Sequence, residues 1–240
     1  RHNFEIFPLL HNRELFAGVE HFWMYDFHRN EGIDENVYAL TNTLNGKSAL
    51  VIYNNNFLET SGSIKWSVQQ AVKSGKSKTV KNTEIAKALR LSRKHNAYLT
   101  FRDQSTGLSF IRPLDQIFND GFSFHLQGYE HHVFLDFQVV TSDASHDYGR
   151  LWSILGQKGV PDLLQALEEL ILQPVISPWL QMMNAGYLKH LLSLINESEK
   201  RTEQDDKEFD QKSARLLRGV QNLTGTSGEI TAVHDVMRNK

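Results

Sequence analysis

The spacing of apolar positions changes character twice along the chain. Residues 5–20 set Leu9, Leu10 and Phe16 on a modest apolar face. Pro8 falls where a first helical turn needs no amide hydrogen, so a short helix is predicted. Beyond it, Phe22-Trp-Met-Tyr-Asp-Phe27, the run from Val37 to Leu44 and the run from Lys47 to Tyr53 are aromatic and β-branched, as strands prefer. Asn45-Gly46 separates the last two. Both residue types tolerate the positive φ of a type I′ turn, which predicts a tight hairpin. Asn54-Asn55-Asn56 ends the second strand. Residues 73–78, built from Ser, Gly and Lys, read as an exposed loop, and Glu84 to Leu91 as a short helix capped by Asn82 or Thr83. Strand texture returns at 97–101 and 108–112, where Pro113 stops it. Over 121–126, Phe122, Phe124 and Leu126 alternate with Ser123 and His125, and 131–140 forms the last strand.

From about Thr141 the period becomes helical. Leu163, Leu164, Leu167, Leu170 and Ile171 recur at i, i+3, i+4 spacing, with Pro174 as the expected end. Ser177-Pro178 then offers a cap and a first-turn proline for a new helix carrying Trp179, and the run from Tyr187 to Ile195 follows. Phe209, Leu216, Leu217, Val220 and Leu223 continue a helical stripe beyond an acid-rich stretch at 197–210. The pattern predicts an α+β chain: an antiparallel β-sandwich over about residues 20–140, followed by an α-helical region. As domains, this gives a helix over 1–20, a sandwich over 21–145 and a helical extension over 146–240. No βαβ alternation appears, which disfavours a nucleotide-binding α/β fold.

Composition removes whole classes of chemistry. The 240 residues contain no Cys, which excludes thiolate zinc sites, iron–sulfur clusters and Cys nucleophiles. No apolar run reaches the roughly 18–20 residues of a membrane span, so no membrane partner is expected. A net charge of −2 gives no whole-molecule attraction to nucleic acid. The start Arg1-His2-Asn3-Phe4 lacks the pattern of a signal peptide. It reads as a cut from a longer protein; the compartment stays open, with a lean towards the cytoplasm.

Several residues resemble a known family. Glu14-Leu-Phe-Ala-Gly18, Phe22-Trp-Met-Tyr-Asp-Phe27, Asn36-Val-Tyr-Ala-Leu40 and Ala49-Leu-Val-Ile-Tyr-Asn-Asn55 resemble the region just beyond the catalytic barrel of bacterial α-amylase-family glycoside hydrolases. Arg102-Asp-Gln-Ser-Thr-Gly-Leu108 and Tyr129-Glu-His-His-Val-Phe-Leu-Asp136 look like later strands of the same C-terminal β domain. The likeness covers about residues 5–140, with the later helices as an extension. It implies that residues 1–20 end a missing barrel and that the sandwich packs against that barrel. Retaining hydrolysis needs a nucleophile and an acid/base about 5–5.5 Å apart. The Gly-x-Arg-x-Asp run that carries the family's nucleophile does not occur here. Val233-His234-Asp235 imitates the pair holding the family's third acid, but it follows the sandwich, with no barrel strand leading in. No catalytic residue is therefore assigned, and the chain alone is expected to be inactive.

The remaining candidates have ordinary readings beside functional ones. His125, His131, His132 and Asp136 suggest a metal, but adjacent strand residues point to opposite faces, so strand or edge histidines are favoured and no metal or cofactor is assigned. Residues 65–94 gather nine Lys and Arg against the single acid Glu84. A solvated loop is favoured over nucleic-acid binding, because Trp66 alone interrupts the cations as an aromatic. In the amylase reading, Trp66 is the candidate carbohydrate-binding residue, a flat platform for a sugar ring of an α-glucan. Trp23, Tyr25 and Phe27 read as strand core or as surface buried against the barrel, and Trp152 and Trp179 as helix-packing anchors. The acidic 197–210 stretch lacks calcium-loop order and reads as a solvated helix face.

The expected function is thus a non-catalytic C-terminal accessory region of an α-amylase-like glycosidase, active in carbohydrate metabolism through its parent. Its partners are the N-terminal catalytic barrel of the same polypeptide and, through Trp66, α-glucan. The alternative is a stand-alone carbohydrate- or protein-binding module. Exposed apolar residues around Phe7, Leu10 and Phe16 would favour the first.

Overall fold

Asn12 divides the expected first helix into two short ones, α1 (Phe7–His11) and α2 (Arg13–Ala17). The computed structural model describes residues 7–74, 77–143, 146–196 and 202–226. Three short strands follow α2: β1 (Trp23–Tyr25), β2 (His28–Arg29) and β3 (Gly32–Ile33). The predicted hairpin is present as β4 (Val37–Leu44) and β5 (Lys47–Asn54), paired from Leu44↔Lys47 to Val37↔Asn54. Asn45 and Gly46 have φ of 50° and 80°, the two positive values of a type I′ turn. Next come β6 (Thr60–Ile64), β7 (Gln70–Ser74), β8 (Ser77–Lys81) and α3 (Ile85–Ala88). The series continues with β9 (Ala97–Asp103), β10 (Ser109–Pro113), α4 (Leu114–Asp120), β11 (Phe122–Leu126) and β12 (His131–Thr141).

The strands form a six-stranded antiparallel sheet in the order β1-β4-β5-β12-β9-β10 and a four-stranded sheet in the order β11-β6-β2-β3. Strand alternation sends Ala39, Leu50, Ile52, Leu99 and Phe134 of the first sheet into one core with Phe27, Ile64, Phe122 and Leu126. Ile85 and Ala86 of α3, with Leu114 and Ile117 of α4, pack into the same core. Phe101 sits at its centre, 5.3–5.7 Å from the rings of Phe110, Phe122, Phe134 and Phe137. On the outer face of the six-stranded sheet, Leu15 of α2 joins Ala49, Val133 and Leu135 in a second, smaller cluster.

Two sequence readings need correction here. The segment read as a loop contains an antiparallel ribbon, with β7 and β8 in register from Gln70↔Lys81 to Ser74↔Ser77; residues 75 and 76 lie outside the described residues. Ala71, Thr79, Val80 and Lys81 are all exposed, so the ribbon shows no apolar alternation to read. Its strands hold through backbone pairing. Helix α4 begins immediately after Pro113, where the sequence predicts only a strand stop; the proline occupies the N-cap position.

Among the described residues four further helices follow: α5 (Tyr148–Leu155), α6 (Leu163–Met182), α7 (Ala185–Ile195) and α8 (Glu203–Thr224). The fold is therefore α+β, β-rich first and helical afterwards. It divides into two compact units, the first ending at Ala166 and the second beginning at Leu167, later than the change of pattern near 145. The reason is local. Ser109 and Val160 exchange backbone hydrogen bonds of 2.7 and 2.9 Å, and the Arg112 guanidinium donates to the carbonyls of Gly156 and Gln157. Both features bind the segment after α5 to β10.

The expected break at Pro174 is absent, because α6 runs through both Pro174 and Pro178. Each proline lacks an amide hydrogen, so Pro178 leaves the Pro174 carbonyl without its helical donor. Gly219 of α8 lies against that carbonyl, and a Cβ there would sit 2.3 Å from the oxygen. Only glycine permits this approach. At the start of α8, Thr202 and Asp205 form a reciprocal capping box.

Candidate functional site

The apolar residues of α1 and α2 point in two directions. Leu9 and Leu15 pack on the outer face of the six-stranded sheet, and Asn42 Nδ2 donates to the Gly18 carbonyl at 2.6 Å to fix the exit of α2. On the other side Leu10 is 55% exposed and Val19 82%, with Phe16 also exposed. The side chain of Phe7 lies outside what is described. Met24 of β1, on the face opposite the core, is exposed too. Tyr25 and Phe27 are buried in the core, as expected for that strand. A cavity of about 560 Å³ lies beneath this region, lined by Val19, His21, Asn42, Leu44 and Arg90 among others.

Trp66 is half-exposed at the root of the ribbon. Its backbone bridges Glu84, while Ile85 N donates to Lys65 O at 2.8 Å and Ser67 N to Thr83 O at 2.9 Å. The pairing of β7 with β8 therefore continues to α3 as one two-stranded arm, tethered to the sandwich by Val68 N donating to Met24 O at 2.8 Å. Trp66 is the aromatic residue of this arm, and about half of it is exposed.

The three histidines are not brought together. His125 Nδ1 pairs with Ser61 Oγ at 2.7 Å and its Nε2 with Gln127, while His131 is exposed. His132 turns inward, stacks on Phe134 at 5.4 Å and meets Asp103 Oδ2 through Nδ1 at 2.8 Å. Its Nε2 faces Glu130 at 3.3 Å. Among the described residues no group of three or more His, Asp or Glu could hold a metal ion, and no helix is long and apolar enough to cross a membrane.

The Asp103–His132 pair escaped the sequence reading. Asp103 is fully buried. Burial pushes its carboxyl up, but hydrogen bonds from His132, Thr106 and the Ser105 amide, with the imidazolium charge, outweigh that and hold it below the usual carboxylate range. Burial pushes His132 down, and Asp103 and Glu130 outweigh it, so its pKa rises. The pair staples the Asp103–Gly107 turn to β12, a structural use of a buried ion pair.

Arg112 is a half-buried charge. Desolvation lowers its pKa to about 10. Its guanidinium donates to the carbonyls of Ile111, Gly156 and Gln157 and lies 5.3 Å from the Trp152 ring centre. Trp152 is thus a packing anchor as expected, whereas Trp179 is half-exposed on α6. Val233-His234-Asp235 and residues 197–201 of the acidic stretch lie outside the described residues. No family of known proteins and no individual curated protein matches the sequence.

Proposed function

We propose that this chain is the non-catalytic C-terminal accessory region of an α-amylase-like glycosidase, packed against a catalytic barrel belonging to the same polypeptide. The barrel hydrolyses α-glucan, and this region covers its apolar flank. The two-sidedness of α1 and α2 carries the reading. One apolar side rests on the sheet through Leu9 and Leu15, and Leu10 and Phe16 are exposed, with Val19 exposed just beyond α2. A helical segment apolar on both sides is ordinarily covered on both, and exposed apolar patches mark interaction surfaces. The resemblance of residues 5–140 to the post-barrel domain of that family supports the choice of a barrel as the partner. Incubating the chain with soluble starch and measuring reducing ends tests the proposal. No product above a buffer control is expected, and clear turnover overturns it.

A second reading, a stand-alone carbohydrate-binding module, is favoured by Trp66, half-exposed where its backbone bridges Glu84. Loss of starch retention in a Trp66→Ala variant, with Leu10, Phe16 and Val19 tolerant of serine, would select it.

A further inference from the structure

The opposite end of the β4–β5 hairpin from α2 carries a different surface. Two loops, 55–59 and 127–130, are locked together there. Buried Asn54 donates through Nδ2 to the carbonyls of Leu58 and Gln127 at 2.8 and 2.9 Å. Tyr129 N donates to Asn56 O at 2.9 Å. Gly128 lies so close to Phe57 that a Cβ would sit 2.2 Å from its carbonyl oxygen.

The lock holds two aromatic side chains in solvent, Phe57 at 73% exposure and Tyr129 at 60%. Tyr129 is kept at φ 58°, a left-handed conformation that a bulky residue adopts only at a cost in free energy and only where its surroundings impose it. Beside the 55–59 loop opens a cleft of about 340 Å³ lined by Arg29, Asp34, Asn36, Asn56, Glu59 and Thr60 among others. At its wall Asp34 accepts from Thr60 Oγ1 at 2.8 Å and from the Asn36 amide at 3.1 Å, and faces Arg29 at 3.5 Å.

We infer that this corner is a saccharide-binding site, with Phe57 and Tyr129 as stacking platforms and the cleft as the hydroxyl-reading part. A pyranose has a C–H face that suits the negative face of an aromatic ring. Its vicinal hydroxyls both donate and accept, as the carboxylate, amide and guanidinium groups of the cleft require. Asp34 and Glu59 against Arg29 make the cleft unfit for a polyanion. Rigid rings add little ordering cost on binding. The choice of α-glucan as the saccharide rests on the function proposed above; the site itself does not.

Calorimetric titration of the chain with maltoheptaose tests it, with cellohexaose as a parallel arm. Maltoheptaose binding is expected, weakened about tenfold or more by Phe57→Ala or Tyr129→Ala, both with unchanged circular dichroism because the side chains are exposed. Asp34→Asn is expected to weaken it as well. Absence of binding to either sugar, or affinity indifferent to both ring variants, overturns the site. A loss confined to Trp66→Ala would move the contact to the arm and also overturn it. Binding of cellohexaose alone, abolished by the ring variants, supports the site and overturns the α-glucan assignment.

Discussion

The two compact units spend their apolar residues differently. In the unit ending at Ala166, Phe27, Leu50, Ile52, Ile64, Leu99 and Leu126 are fully enclosed between two sheets. In the unit beginning at Leu167, the buried apolar side chains among the described residues are Leu167, Leu170, Met182, Tyr187 and Leu216. Leu172, Ile176, Trp179 and Leu180 of α6, and Met183 just after it, are exposed. Leu172, Ile176, Trp179 and Met183 follow i, i+4, i+7, i+11 spacing, a seam of the kind a helix buries. Alternation across a sheet sorts every second residue inward, and two facing sheets complete the enclosure. A helix rich in apolar residues all round has more sides than its own unit covers. The β unit therefore has the means to stand alone, and the helical unit draws less stability from its own packing.

The sharpest way to break this contrast is a matched pair of truncations. Ile52→Ala should cost about 2–5 kcal/mol, and Leu172→Ala under about 0.5 kcal/mol, read as midpoints of urea unfolding. Equal losses would dissolve the distinction.

Arg112→Met should cost about 2 kcal/mol, since it removes charge-assisted bonds to three carbonyls and the ring contacts. Hydrogen exchange should then quicken in residues 156–160 before it does in β5. If these residues stay as protected as before, Arg112 does not hold the segment to β10.

The Asp103–His132 pair predicts a pH dependence of the β unit alone. Asp103 has a lowered pKa, so its contribution is complete above its unfolded value near 3.8 and is lost as pH falls through the still lower folded value. His132 has a raised pKa, so its contribution is complete below its unfolded value near 6.5 and is lost as pH rises through the folded value. Stability from the pair should therefore plateau between about pH 4 and 6.5. His132→Gln should flatten the alkaline limb of a thermal-melting profile across pH 4–9; an unchanged limb would show that another group governs it.

The smallest effect belongs to the exposed seam. Ile176→Ser with Trp179→Ser should change the unfolding midpoint little while lowering binding of a hydrophobic dye. A strongly destabilised double variant would mean that the seam is packed in solution.

What was legible in the sequence was what local chemistry controls. Asn45-Gly46 declared its turn, and the alternation of Phe122, Phe124 and Leu126 declared a half-buried strand. The ribbon was illegible because a run of lysine, serine and glycine carries no apolar period. Pro174 misled because a proline weakens a helix without forbidding it. Burial of Leu167 and Leu170 before the prolines and of Met182 after them holds α6 together across both. Asp103 and His132 lie 29 positions apart, and only the pairing of β9 with β12 makes them neighbours. Asn54, Phe57 and Tyr129 likewise show their relation only after folding; Asn54-Asn55-Asn56 looked like a strand stop and nothing more.

The eight-residue strands of the β4–β5 hairpin have a consequence in distance. At about 3.3 Å per residue they hold the aromatic corner about 25 Å from the α1–α2 face. A polymer gripped at one end and a catalyst seated at the other would share a stiff ruler instead of competing for one surface. If the proposed saccharide corner and barrel contact both hold, a chain captured on such a mount would meet its neighbour at a local concentration on the order of millimolar.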